Sequence, residues 1–427
     1  MAWPVRYKLV GLLATGSMIN YADRVNISVA APVMMAALGW NEAEFGLIFS
    51  AFLLGYTLLQ IPGGILADRW NTVWVVAIAC FGFSVFTALT PLGAMAFWLM
   101  ITLRFSVGLL ESVSFPAYAV LNARWIPRYE YGRAQNISLS GSHLGQALAY
   151  PITTWIVTTF SWPVVFYFNG GLGMLWLIAW LAFATNTPAE HPKISQAERR
   201  EIEENLAPRS QATVSPFLIL KNRHVLLLSL AYLCMVYGLW MVILWMPTYL
   251  VKARGFSMEA MGMLGMIPTL AGSAGLISGG TISDVLLKRG FSPRFARAQA
   301  PALCAFLGVP SILAAAFVPW PGVSVACLAF YMYFTNLGSG ACWAVPVELN
   351  PKQIGAISGV MNGAGNFAGI FGPMSAGFLV AATGSWELPL VAIAAMLLIA
   401  TLVFYFLVVP EPIELGEPLA EAAPQQA

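Results

Sequence analysis

Four charged side chains lie in stretches otherwise apolar enough for a lipid bilayer. Leu103 to Pro116 reads LRFSVGLLESVSFP, and Asp23-Arg24 interrupts a first apolar run near 9 to 34. Arg104 and Glu111 are seven residues apart, which returns them to one helix face roughly 10 Å apart. An ionised side chain at mid-bilayer costs about 2.5–3.5 kcal/mol on insertion scales, so such groups face one another or water. Arginine suits a carboxylate, because its planar fork donates two parallel hydrogen bonds and stays charged. Aspartate and glutamate in the same environment can take up and release protons. The chemistry on offer is therefore anion binding coupled to protonation. The competing reading is a static ion network that pins two helices, since buried pairs can be purely structural.

The elements that carry these groups are apolar runs of about 20 residues. They fall near 9–34, 45–66, 73–92, 96–122, 134–158, 163–185, 225–250, 259–282, 299–318, 323–346, 355–381 and 387–409. With 59% hydrophobic and 9% charged residues over 427 positions, the chain reads as an all-α polytopic membrane protein of twelve transmembrane helices in two six-helix bundles. The expected division is 1–185 for the first bundle, 186–223 for a cytoplasmic linker with a short helix, 224–409 for the second bundle and 410–427 for a disordered cytoplasmic tail. Of 21 Lys and Arg, only Lys252 and Arg254 fall in odd-numbered loops, and Arg24 and Arg104 lie inside spans. The positive-inside bias then puts both termini in the cytoplasm. In the linker, Ser195 followed by Glu198 predicts a capping box, with the charges on a solvated face.

Other chemistries find no support. The basic residues form no continuous patch for nucleic acid. The five cysteines sit in apolar runs without metal or redox spacing, and no phosphate loop or nucleophile/base pattern occurs. The expectation is no enzyme, no cofactor and no metal. Asn26-Ile-Ser28 and Asn136-Ile-Ser138 match the glycosylation pattern by chance, inside or against spans.

The halves repeat. Gly63-Gly64-Ile65-Leu66-Ala67-Asp68 closes the second span, and Gly279-Gly280-Thr281-Ile282-Ser283-Asp284 closes the eighth. Parallel six-helix repeats are the arrangement in which one half rocks against the other around a site. The paired glycines are expected to let helices from opposite halves approach closely.

At this point the chain resembles the major facilitator superfamily and, within it, the anion:cation symporter family of organic-anion carriers. Gly64 to Asp68-Arg69 is similar to the superfamily's loop motif after span two, with Trp70-Asn71-Thr72 in place of its basic ending. Arg124, Arg128 and Arg133 are candidates to supply that charge. The subfamily likeness rests on Asn20-Tyr21-Ala22-Asp23-Arg24, Ser50-Ala51-Phe52 with Tyr56, Gln60 to Gly64, and Arg104 with Gly108, Glu111 and Phe115-Pro116. It continues through Trp343, Pro346, Glu348, Ser358-Gly359, Asn362, Gly365-Asn366 and Gly369 to Pro373, with bacterial galactonate, glucarate and hexuronate carriers as the nearest pattern.

That resemblance implies import of a sugar acid with protons by alternating access, in a bacterial inner membrane, by a monomer. It implies Arg24 as the carboxylate holder, Asp23 and Glu111 as proton-coupling acids and Arg104 as the charge partner of Asp23. Tyr21, Tyr56, Trp343, Asn362 and Asn366 would contact the substrate, with Ser142 standing where the galactonate carrier has a glutamine. From the residues alone, Trp343 is more simply packing or an interface anchor, Asn362 and Asn366 could equally hydrogen-bond between helices, and His143 is more simply a packing residue. Asp68, Arg69 and Asp284 are expected to gate. The alternatives are a carrier of aromatic or other small carboxylates, favoured weakly by 26 Phe and 15 Trp, and a sensor built on a transporter fold.

Overall fold

The computed structural model describes residues 3–206, 219–350 and 353–413. All twelve predicted spans are helical. In the first half they are α1 (Val5–Leu38), α2 (Glu42–Arg69), α3 (Thr72–Leu89), α4 with α5 (Phe97–Glu111, Ser114–Trp125), α6 (Tyr131–Thr159) and α7 (Trp162–Phe183), followed by linker helix α8 (Gln196–Glu204). In the second half they are α9 (Arg223–Thr248), α10 with α11 (Met258–Leu264, Met266–Lys288), α12 with α13 (Ala300–Phe306, Gly308–Phe317), α14 with α15 (Pro321–Cys342, Val345–Leu349), α16 (Ile354–Thr383) and α17 (Glu387–Phe406). Nine of these spans are long and apolar enough to cross a membrane by length and composition alone. The other three are α1, α6 and α14. They carry the polar side chains that dilute the hydropathy, among them Asn20, Asp23 and Arg24 in α1 and Gln135, His143 and Gln146 in α6.

Four spans read as single runs are each broken once, and the sequence holds the reason. The breaks follow Glu111, Leu264, Phe306 and Cys342. Proline stands at 116, 268, 310 and 346. Proline lacks an N–H for the carbonyl four residues earlier and its ring clashes with it, so the helix loosens at Ser112, Leu264, Phe306 and Cys342. The first break falls immediately after Glu111. The loops are closed by conventional signals. Asn41 and Glu44 form a reciprocal capping box at α2, at 3.0 and 2.8 Å, and Gly39, with φ of 70°, ends α1 in the left-handed region.

The helices separate into two compact units. One is Met1–Pro208 with Ile243–Thr269 and Pro373–Ser385; the other is Arg209–Val242, Leu270–Gly372 and Trp386–Ala427. In the first unit α2 meets α4 backbone to backbone, because a Cβ at Gly108 would overlap the carbonyl of Phe52 and one at Gly55 that of Phe105. In the second unit the equivalent approach is α11 on α14, at Gly275 against Tyr333 and Gly279 against Leu337. Three of the four paired glycines therefore serve contacts inside their own half, Gly63 against Val113, Gly64 against Pro116 and Gly279 against Leu337, while Gly280 has nothing within 4 Å. The expectation that they join opposite halves is corrected on this point.

The first unit also contains the end of α9, all of α10, the start of α11 and the end of α16. Ser28 Oγ donates to the carbonyls of Leu244 (2.6 Å) and Ile243 (3.1 Å). Trp245 Nε1 donates to Pro373 O at 2.9 Å and its ring meets Phe49 edge-on. Lys252, in an odd-numbered loop, pairs with Glu42 at 2.7 Å. Residues 414–427 of the expected tail lie outside the described residues, while Ile413 N donates to Leu349 O at 2.8 Å in the second unit.

Candidate functional site

Helix α1 presents Asp23 and Arg24 on successive positions, about 100° apart, so the two side chains leave the helix in different directions. Helix α4 presents Arg104 and Glu111 two turns apart. The result is a crossed arrangement: Arg24 Nε donates to Glu111 Oε1 at 2.6 Å, and Arg104 Nη1 lies 3.8 Å from Asp23 Oδ2. None of the four side chains is more than 4% exposed. The two pairs differ in kind. The first is a short charge-assisted hydrogen bond; the second is an ion pair without a hydrogen bond, and Asp23 Oδ1 instead accepts from Asn26 Nδ2 at 3.0 Å.

The guanidinium of Arg24 is enclosed by rings. Its carbon lies 4.2 Å from the centroid of Tyr56, 4.6 Å from Tyr21, 5.6 Å from Phe52 and 5.8 Å from Phe115. Ring faces attract a desolvated cation. Phe52 is also 5.1 Å from the guanidinium carbon of Arg104, so one aromatic ring contacts both arginines. Despite burial, the charged groups are incompletely satisfied. Arg24 Nη2, Glu111 Oε2, Asp23 Oδ2, and Arg104 Nε and Nη1 are buried without a hydrogen-bond partner among the described residues. Buried polar atoms of that sort are costly and mark places where a ligand or a changed pairing would be stabilising.

The first unit thus brings Tyr21, Asp23, Arg24, Tyr56, Arg104 and Glu111 together. Ser142 is buried on α6, but its Oγ donates to Leu139 O at 2.6 Å, within its own helix. The second unit holds the remaining substrate candidates. Trp343 sits at the α14/α15 break, 42% exposed and edge-on to Tyr232 at 5.9 Å, while Asn366 is buried and Asn362 half-buried on α16. Tyr232 is a residue the sequence reading missed; it also packs on the notch at Gly365. Phe52, Phe115 and Asn26 were likewise given no role. Only Phe52 and Tyr56, four apart on α2 and stacked at 6.2 Å, left a signal in the spacing.

The gating candidates lie at helix ends. Asp68 O accepts from Arg124 Nη2 at 2.9 Å, and Arg124 Nη1 also reaches Thr72 Oγ1 and Asn186 Oδ1. Of the three arginines considered to replace the missing basic ending, Arg124 is thus the one on the second-span motif. Arg69 ends α2, exposed. In the second unit Asp284 pairs with Arg297 at 2.7 Å, and Arg297 also lies 3.4 Å from Glu348.

The Major Facilitator Superfamily profile matches residues 13–373. The chain belongs to that superfamily, among its anion transporters. It is 34% identical to a probable galactarate/D-glucarate transporter of Bacillus subtilis (strain 168), covering 95% of this chain and 92% of that protein. It is 32% identical to the chloroplastic ascorbate transporter of Arabidopsis thaliana, over 94% and 74% of the two chains, and 30% identical to a probable sulfoacetate transporter of Cupriavidus necator, over 94% of each. Among solved structures, an inward-facing, unoccupied bacterial homologue of the human lysosomal transporter Spinster matches with a TM-score of 0.80 at 17% identity, over 95% and 97% of the two chains. That likeness shows the fold. This major facilitator protein is a multi-pass anion transporter of the same architecture.

Proposed function

We propose that the protein imports a sugar acid of the aldonate, hexuronate or glucarate class together with protons, by alternating access of bundles 1–185 and 224–409, as a monomer in a bacterial inner membrane with both termini cytoplasmic. The observation that carries this reading is Arg24, held through Nε by Glu111 while Nη2 is buried and unsatisfied among four aromatic rings. A substrate carboxylate would accept from the free edge of that guanidinium. Protonating Glu111 would weaken its hold on Nε and leave Arg24 a full fork for the anion. Asp23 and Arg104, the looser pair, would reset in the same cycle. The relatives named for galactarate and D-glucarate support the substrate class. Substrate contacts at Trp343, Asn362 and Asn366, and gating by Asp68, Arg69 and Asp284, rest on the family resemblance.

Uptake of labelled D-glucarate or galactarate into proteoliposomes tests the reading. An inward proton gradient should drive accumulation, and a protonophore should abolish it. Sodium-driven uptake indifferent to protonophore would overturn the coupling. A second reading, a smaller sulfonated anion, is favoured by the relative named for sulfoacetate; sulfoacetate displacing glucarate in counterflow, with tighter half-saturation, would select it.

A further inference from the structure

Helix α1 begins without its own cap. Pro4 offers no side-chain acceptor, and the first turn holds no acid. The first four N–H groups of a helix need partners outside the regular ladder. Tyr7 N and Lys8 N use the carbonyl of Pro4, at 3.2 and 3.4 Å. Val5 N and Arg6 N donate to the two carboxylate oxygens of Glu198, at 3.1 and 3.0 Å, from 193 and 192 residues away in the chain. Glu198 is the residue expected to complete the capping box of α8. Ser195 Oγ does accept from Glu198 N at 3.1 Å, but the Glu198 carboxylate is turned onto α1, where it also meets the positive end of that helix's dipole.

The rest of the linker is held as firmly. Arg6, nearly buried, donates through Nη1 and Nη2 to the two oxygens of Glu201, at 2.8 and 3.0 Å, and its Nε lies 3.1 Å from Glu130. Tyr129 Oη donates to Glu201 Oε1 at 2.7 Å, and Arg128 N donates to Asn205 O at 2.8 Å. Ile202, the apolar side chain in α8's last turn, is fully buried. Upstream, His191 packs edge-on against Trp125 and Phe183, and Asn186 Oδ1 accepts from Thr72 N and Arg124 Nη1. Of the charges of α8, Glu198 and Glu201 are thus turned onto the first unit, while Arg199, Arg200, Glu203 and Glu204 keep the exposed face expected of them.

We infer that residues 186–205 are a docked strap, an integral part of the first unit, which caps α1 from outside and ties its inner end to the α2/α3 and α5/α6 loops. Helix α1 carries Asp23 and Arg24, so the strap holds the base of the helix on which the interior charges stand. Its bonds need no substrate, and the inference is independent of what the protein carries.

Hydrogen–deuterium exchange on purified full-length protein tests it. In Glu198→Ala the amides of Val5 and Arg6 should exchange at least about tenfold faster, and Glu198→Gln should recover part of that protection, because an amide oxygen still accepts. Melting temperatures of Arg6→Ala, Glu201→Ala and the double variant should be clearly non-additive, since either change alone breaks the same bidentate pair. The charge-reversed pair Arg6→Glu with Glu201→Arg keeps the proposal falsifiable if the single variants unfold: it should melt above either reversal alone. Wild-type exchange at Val5 and Arg6 in Glu198→Ala, or strict additivity of Arg6 and Glu201, would overturn the strap.

Discussion

Two clusters in the first unit contain similar groups and treat them oppositely. At the strap, Arg6 is bonded to Glu201 through both terminal nitrogens, Tyr129 adds a donor to the same carboxylate, and Glu198 fills both oxygens with backbone N–H groups, with only the Arg6 Nε–Glu130 Oε2 ion pair left without a hydrogen bond among the described residues. In the interior cluster, Arg24 and Glu111 share one short hydrogen bond, Arg104 and Asp23 form an ion pair without one, and five polar atoms of these four residues have no hydrogen-bond partner among the described residues. Saturated ion networks rigidify; partly satisfied ones in low dielectric are costly unless something else completes them. The two clusters thus differ in how fully their hydrogen bonds are made, and the interior one is where a further partner would be stabilising.

The largest expected effect attacks the interior cluster at Arg24. Arg24→Lys replaces a planar fork with a point charge, so affinity for D-glucarate should fall by about 100-fold or more, as expected when charge-assisted bonds are lost. Unchanged binding by calorimetry of folded variant would remove Arg24 from the site. Next, Glu111→Gln keeps size and an acceptor but cannot deliver a proton. Proton-driven accumulation should vanish while substrate counterflow survives; loss of both, or retention of accumulation, refutes Glu111 as a coupling group.

Arg104 separates charge from packing. Arg104→Met leaves Asp23 buried without its cation, and removing one partner of a buried pair costs about 3–5 kcal/mol. Arg104→Met combined with Asp23→Asn should recover much of that loss. A single variant as stable as wild type would mean that the 3.8 Å contact contributes nothing.

The smallest effect belongs to the strap and is pH-dependent. Arg6 and Tyr129, bonded to Glu201, hold its carboxyl below the ordinary value, with Glu130 the nearby acid on the same arginine. A depressed folded-state value means that Glu201 adds stability at pH above its ordinary unfolded value. That contribution is lost as pH falls through the folded value. The group is part-exposed, so solvent screening keeps the term small. Melting curves of wild type and Glu201→Gln should converge as pH is lowered through the acid range. A gap that persists below it would remove this electrostatic contribution.

What the sequence determined by itself is the set of elements and the oddity of four charges. The twelve apolar runs are legible because a bilayer demands long helices with satisfied backbones, and Asp23, Arg24, Arg104 and Glu111 stand out because charge is expensive there. The four helix breaks each lie just before a proline, at 116, 268, 310 and 346, but Pro32, Pro62, Pro151, Pro247 and Pro373 sit inside unbroken helices, so the sequence marked candidate breaks and the packing chose among them. Tertiary structure alone decided who pairs with whom. The seven-residue spacing of Arg104 and Glu111 is a statement about one helix, whereas the crossed pairs depend on how α4 meets α1 and α2. The α2/α4 part of that packing is set by Gly55 and Gly108 against opposing carbonyls. Likewise, Ser195 and Glu198 look like a local capping box, and only the folded chain turns Glu198 toward α1, because an uncapped helix end 192 residues away offers it two N–H donors that its own helix could not.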